Sequence, residues 1–233
     1  MICAHPDDVD FGASGTVASL VGAGVSVSYC MVTQGQAGSS DPTARPADIA
    51  EVRMAEQQAA AAAVGVSDVR FLDHPDGAVV ASIELRRDLS RVIREVRPRL
   101  VITQPTERNL ERIYASHPDH LATAEAVMSA VYPDARNAHA HRELLDGEGL
   151  EPWAVPEVWM MGLGADLPPS VAVVIDITDA IDRKIAALRS HRSQTASMED
   201  LDGMIRGWAA MTAAGAGLPE GRLAELFRRI DTR

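Results

Sequence analysis

With 233 residues, 46% of them hydrophobic and only 4% aromatic, the chain holds enough Val, Ile, Leu and Ala to fill a packed core. A formal net charge of −11 argues against a dedicated nucleic-acid binder, which would usually show a basic stripe, and a small-molecule partner is expected. No secretory leader opens the chain, and no apolar run approaches the roughly 20 residues that span a bilayer. A cytoplasmic protein that binds neither membrane nor nucleic acid is the expectation, and a homo-oligomer is left open. Cys3 and Cys30, the two cysteines, read as buried free thiols.

Met1 to Ala4 reads as a truncated strand that delivers His5 to its carboxyl end, with a small-residue helix over Thr16 to Val21 behind it. Val25 to Val32 alternates and then turns continuously apolar, the pattern of a buried strand. A Gly- and Ser-rich loop from Thr33 to Pro46 precedes an Ala-rich helix from Ala47 to Val64, stopped by Gly65. A strand at Val69 to Asp73, a turn at Pro75-Asp76-Gly77, an amphipathic helix from Ile83 to Val96 and a strand at Leu100 to Gln104 follow. The second half is less regular: residues 134–156 lack periodicity, Glu157 to Gly162 and Val171 to Ile177 read as strands, and helices are expected to close the chain from Asp179 onward.

Alternating strands and helices predict an α/β fold, a Rossmann-like, mostly parallel sheet with helices on both faces. No linker divides the chain. Residues 1–233 are read as a single domain, with 1–133 forming the core that carries the site and 134–233 the less regular remainder. In such sheets ligands bind at the carboxyl ends of the strands.

Two constellations fall at those ends. His5-Pro6-Asp7-Asp8 sits where the first strand gives way to a helix, and a proline-fixed turn can hold metal-ligating lone pairs rigidly. Its bland reading is a turn in which Asp7 or Asp8 caps the helix. His117-Pro118-Asp119-His120 opens the helix through Leu121, Ala124 and Val127, and its two histidines, three apart, can face one site. Alone, that pair reads equally as surface histidines. Taken together, the two put His5, Asp8 and His120 within reach of one cluster, and mixed His and carboxylate ligation is the pattern of catalytic rather than structural zinc. Spacing leaves open which of Asp7 and Asp8 binds metal.

The run Ala4-His5-Pro6-Asp7-Asp8-Val9-Asp10-Phe11-Gly12, with Gly15-Thr16 after it and His117-Pro118-Asp119-His120 later, resembles the PIG-L/LmbE family of zinc-dependent N-acetylglucosaminyl deacetylases. Supporting markers are Arg53 with Glu56, Phe71-Leu72 leading to Asp76-Gly77, and His191-Arg192-Ser193-Gln194. Asp10 departs from the pattern, which more often has Glu there. The resemblance implies Zn2+, with Fe2+ or another divalent ion as the alternative, bound by His5, Asp8 and His120. It implies Asp7 as general base, a protonated His117 as the group that polarises the carbonyl or assists the leaving amine, and Asp119 as the residue that orients and charges His117.

On that resemblance the reaction is hydrolysis of an N-acetyl or N-acyl group on an amino sugar, and Arg53 and Asp76 would hold sugar hydroxyls. For Arg53 the competing reading is a helix-surface ion pair with Glu56. Arg108 and Arg112 could take an anionic group of the aglycone, or be solvated loop charges. The alternatives for the whole protein are a de-N-acylase of a natural-product scaffold or non-sugar amide and a sugar-binding protein without turnover, against which the intact Asp7 argues.

Overall fold

The computed structural model describes residues 1–110, 113–162 and 167–233; Arg112 lies outside them. In chain order the strands are β1 (Ile2–Cys3), β2 (Ser28–Thr33), β3 (Asp68–His74), β4 (Leu100–Thr103), β5 (Glu157–Met160), β6 (Ala172–Asp176) and β7 (Ala224–Asp231). The α-helices are α1 (Asp8–Gly12), α2 (Ser14–Gly22), α3 (Pro46–Val64), α4 (Ile83–Val96), α5 (Pro118–Ser129), α6 (Arg142–Asp146), α7 (Ile181–Ser190), α8 (Arg192–Thr195) and α9 (Leu201–Gly215).

β1, β2 and β3 form one parallel run, and β4, β5, β7 and β6 a second, in which β5 lies parallel to β4 while β7 runs antiparallel to both β5 and β6. β1 packs beside β4, so the two runs meet at the centre of the molecule. The chain is a single α/β domain with a mostly parallel sheet.

Alternation along the central strands distributes two cores. Cys3, Tyr29 and Met31 join Val9, Val17, Ala60, Val64, Ile185 and Leu188 on one face. Ile2, Cys30 and Val32 join Leu85, Leu89, Ile93, Ala126 and Val127 on the other. The period-2 strand pattern therefore requires helices on both sides, α1, α2, α3, α7 and α9 on the first and α4 and α5 on the second.

Local chemistry sets the helix limits. Ser82 caps α4 by accepting from Leu85 N–H at 3.2 Å, worth about 1 kcal/mol, and Leu85, Leu89 and Ile93 recur every fourth residue as its buried stripe. α3 stops at Gly65 with φ of 85°, a left-handed turn that lets Val66 N–H reach the carbonyl of Ala61 at 2.8 Å.

The end of the chain corrects the expectation of closing helices, because after α9 it returns as the eight-residue strand β7. Leu223, Leu226, Phe227 and Ile230 fall at helical spacing, so periodicity by itself favoured a helix. The open edges of β5 and β6 decide it, and β7 fills the place between them. β7 also delivers a buried tie: Glu225 accepts from Gly15 N–H at 3.1 Å and Thr16 N–H at 2.8 Å at the start of α2, and pairs with Lys184 at 2.8 Å. Lys184 donates further to the carbonyls of Asp10 and Phe11, so all three of its protons are used.

Candidate metal centre and active site

Both histidine motifs reach the carboxyl edge of the sheet. β1 ends at Cys3, and the chain turns through His5 to Asp8 into α1; α5 begins at Pro118 with His117 as its cap, the ring Nδ1 accepting from Asp119 N–H at 3.2 Å. There His5 Nδ1 lies 3.2 Å from His120 Nε2 and 3.4 Å from Asp8 Oδ2, while His120 Nε2 lies 3.0 Å from Asp8 Oδ1. Donor atoms sharing one tetrahedral zinc at roughly 2.0–2.1 Å stand about 3.3 Å apart, so these three side chains have the spacing of a coordination set. The ring of His117 stands beside them, 5.0 Å from His5 and 5.4 Å from His120 between centroids. His5, His117 and His120 together also place one nitrogen each within 4.8 Å of one another.

The other nitrogen of His5 faces two carboxylates, Asp76 Oδ1 at 3.0 Å and Asp119 Oδ2 at 3.2 Å. A proton on Nε2 shared with these acids leaves the Nδ1 lone pair turned toward His120 and Asp8, the arrangement by which carboxylates fix a metal-binding histidine. Burial disfavours charge on His5, but hydrogen bonds to Asp76 and Asp8 outweigh it and push the ring up to about 11. Asp8, against the penalty of its burial, is held well below the usual carboxylate range by His120 and His5. A buried cluster this rich in carboxylate suits a cation.

Asp7 has a left-handed backbone, φ 93°, a conformation that costs energy in any residue but glycine and persists where neighbours impose it. α3 supplies those neighbours. Gln57 Oε1 accepts the Asp7 N–H at 2.8 Å, and Arg53 Nη2 donates to Asp7 Oδ2 at 2.9 Å and to the Pro6 carbonyl at 2.6 Å. Burial and the neighbouring Asp8 raise the Asp7 carboxyl to about 7 although Arg53 opposes them.

Asp119 meets His117 through its backbone N–H and through the charge of its carboxylate, which favours a proton on that ring, while the two carboxylate oxygens accept from Gly77 N–H at 2.7 Å and Val79 N–H at 3.2 Å and meet His5. The turn after β3 thus lies over the cluster and claims that carboxylate. Burial and then charge on His5 push His117 below the ordinary histidine value, with Asp119 opposing them. With Nδ1 occupied as an acceptor, its proton resides on Nε2.

Arg53 is buried and bound to Pro6, Asp7 and the Gly35 carbonyl; Glu56 instead accepts from Ser193, so the surface pair does not form. Asp76 spans His5 at 3.0 Å and the Ala37 N–H at 2.9 Å. His191, at the start of α8, places Nε2 2.8 Å from Asp10 Oδ2, which Gln57 also reaches at 2.9 Å. Arg108 points back to the Ser116 carbonyl.

Sequence reading missed two amides. Gln57 falls four residues after Arg53, on the same face of α3, and that spacing was a usable signal. Gln104, just past β4, accepts from Ala4 N–H at 3.0 Å and donates to Asp8 Oδ2 at 2.9 Å; only its place at a strand end could have marked it. A cavity of about 470 Å3 lined by Val25, Val27, Tyr29 and Val96 lies at the opposite ends of the strands, and no residue of the cluster borders it.

The fold and the cluster define an α/β protein with a histidine and aspartate site at the carboxyl edge of its sheet. The chain belongs to the PIG-L family, GlcNAc-PI de-N-acetylase, whose model matches residues 1–131. It is similar to the diacetylchitobiose deacetylase of Thermococcus kodakarensis, 30% identical over 194 residues, 82% of this chain and 67% of that protein. A probable N-acetyl-alpha-D-glucosaminyl L-malate deacetylase 2 of Bacillus cereus is 31% identical over 214 residues, covering 89% of each chain. Among solved structures, the N,N'-diacetylchitobiose deacetylase of Pyrococcus horikoshii, complexed with an inhibitor, superposes with a TM-score of 0.85 at 28% identity, covering 99% of this chain and 83% of that one.

Proposed function

We propose that the protein is a metal-dependent N-deacetylase that hydrolyses the acetamide of a small N-acetylglucosamine-containing substrate in the cytoplasm. The observation that carries this reading is the convergence of His5 Nδ1, His120 Nε2 and the Asp8 carboxylate at 3.0–3.4 Å with Asp7 next in the chain. Similarity to enzymes named for deacetylation of diacetylchitobiose and of a glucosaminyl malate supports the substrate class.

We assign His5, Asp8 and His120 as the metal ligands and Zn2+ as the ion, although Fe2+ suits the same donors. When bound, the ion supplies Lewis acidity that polarises the amide and lowers the pKa of water to about 7. Asp7 is the general base. Arg53 holds its Oδ2, and Oδ1 takes a proton from the attacking water as the new C–O bond forms at the carbonyl carbon. The same proton then passes to the nitrogen as the C–N bond breaks, so the products are the free amine and acetic acid, which gives up its remaining proton to solvent to become acetate. His117, with its proton on Nε2, donates a hydrogen bond to the charge developing on the carbonyl oxygen. Asp119 acts in this scheme through His5 and through the backbone N–H that orients His117. Arg53 and Asp76 touch Asp7 and His5 directly, and a sugar seated against those residues comes within their reach, which supports assigning both as sugar contacts.

The test is acetate release by metal-reconstituted protein from N-acetylglucosamine, its glycosides and N-acetyl amino acids, beside an Asp7→Ala variant of measured metal content. Metal-dependent release that the variant loses while keeping its metal is expected; a wild-type chain that binds no metal would overturn the reading.

A further inference from the structure

Gln104 is buried, 2% exposed, one residue past β4, and its carboxamide is used at both ends. The oxygen takes the Ala4 N–H at 3.0 Å and the nitrogen donates to Asp8 Oδ2 at 2.9 Å. The first contact stands in for a ladder bond where β1 has ended and no backbone pairing joins it to β4. The second falls on the oxygen of Asp8 that also accepts the His5 N–H at 2.7 Å. Two donors therefore occupy Oδ2, which lies 3.4 Å from His5 Nδ1, and Oδ1 is the oxygen turned to His120 at the shorter 3.0 Å.

We propose that Gln104 is a positioning residue for the metal centre: by pinning Oδ2 it fixes the rotation of the Asp8 carboxylate and presents Oδ1 alone as a ligand. This rests on the reading of His5, Asp8 and His120 as the metal set. The physical reason is that a carboxylate free to rotate must be ordered by the ion itself, whereas one already held by amide donors meets the ion without that entropic cost. Partners of this kind are worth roughly 10- to 100-fold in metal affinity. Gln104 touches no reacting atom in this scheme, so its effect is read in metal binding.

Zinc affinity is measured by chelator competition on the full chain for the wild type, Gln104→Met and Gln104→Asn, with thermal melting of each metal-free protein alongside. The Met variant keeps the volume and loses both hydrogen bonds; the Asn variant keeps an amide but withdraws it from Asp8 by one methylene. Expected are one zinc per wild-type chain and a dissociation constant raised about 10- to 100-fold in Gln104→Met, the range for losing a hydrogen-bond partner of a metal ligand. If the Met variant fails to fold, the Asn variant carries the test, with a rise of at least about tenfold. A folded variant within twofold of the wild type overturns the role of Gln104 and leaves the metal reading standing. Absence of zinc binding by the wild type overturns both, and that outcome is recognised before any variant is compared.

Discussion

Arg53 reaches across from α3 to place Nη2 2.9 Å from Asp7 Oδ2, and the same nitrogen holds the Pro6 carbonyl at 2.6 Å. One guanidinium thus fixes both the side chain and the backbone of the strained motif. Gly35 and Gly38 make the room: a Cβ on Gly38 would stand 2.2 Å from Arg53 Nη1. Arg53→Lys keeps the charge and loses the fork, and kcat for deacetylation is expected to fall about 10- to 100-fold with metal content unchanged. Wild-type kcat in this variant would show that the contact does not orient Asp7.

Replacing Asp7 by Asn removes the proton acceptor while preserving size. Steady-state kinetics should show kcat reduced by roughly 10^2–10^4, the usual contribution of a general base, with one metal still bound per chain. Loss of metal together with activity would make Asp7 a ligand instead.

Stripping the metal with a chelator should abolish acetate release and lower the melting temperature, and returning zinc should restore both. Ligand linkage stabilises the fold by about 2.7 kcal/mol when free metal stands at 100 times its dissociation constant. Differential scanning calorimetry with and without zinc checks this, and identical melting curves would contradict it.

His191 and Asp10 are fully buried and meet at 2.8 Å beneath the first motif. Breaking a buried pair leaves one partner uncompensated, so His191→Leu should cost roughly 3 kcal/mol in urea unfolding. A loss below about 1 kcal/mol would mean that Asp10 is satisfied by Gln57 alone.

Acid should weaken the fold partly through Asp134. Burial works against its charge, but bonds from Arg86 at 2.8 and 2.9 Å and a contact with His141 at 3.2 Å hold its pKa below the ordinary value. A carboxyl depressed in the folded state contributes fully above its unfolded pKa of about 3.9, and loses that contribution as pH falls through the lower folded value. Melting temperature followed from pH 6 down to pH 2 should fall more steeply for the wild type than for Asp134→Asn. Parallel curves would exclude this group as an acid-sensitive element.

The alternating half of the molecule was readable because each strand and helix carries its own period: α4 runs over the residues its Leu85, Leu89 and Ile93 spacing predicts. The candidates His5, Asp7, Asp8 and His120 were also readable, since His and Asp types at strand ends and helix starts are few, but the choice of Asp8 over Asp7 came from the resemblance alone. What the sequence did not reveal depends on contacts between distant segments. Asp119 meets a turn some 40 residues earlier, Asp10 is met from 181 residues away, and β7 adopts its form only because two strand edges stand open for it. Local pattern carries no record of such partners, and a neutral amide such as Gln104 carries none of the charge that draws attention to a site.

The tie from Glu225 to Gly15 and Thr16 spans 210 and 209 residues. During synthesis the start of α2 leaves the ribosome long before β7, so its two N–H groups gain the Glu225 carboxylate only after nearly all the intervening chain has been made. A product stopped short of β7 would keep the ties from Arg53, Gln57 and Gln104 to the first motif, but would leave the Gly15 and Thr16 N–H groups and Lys184 without their carboxylate.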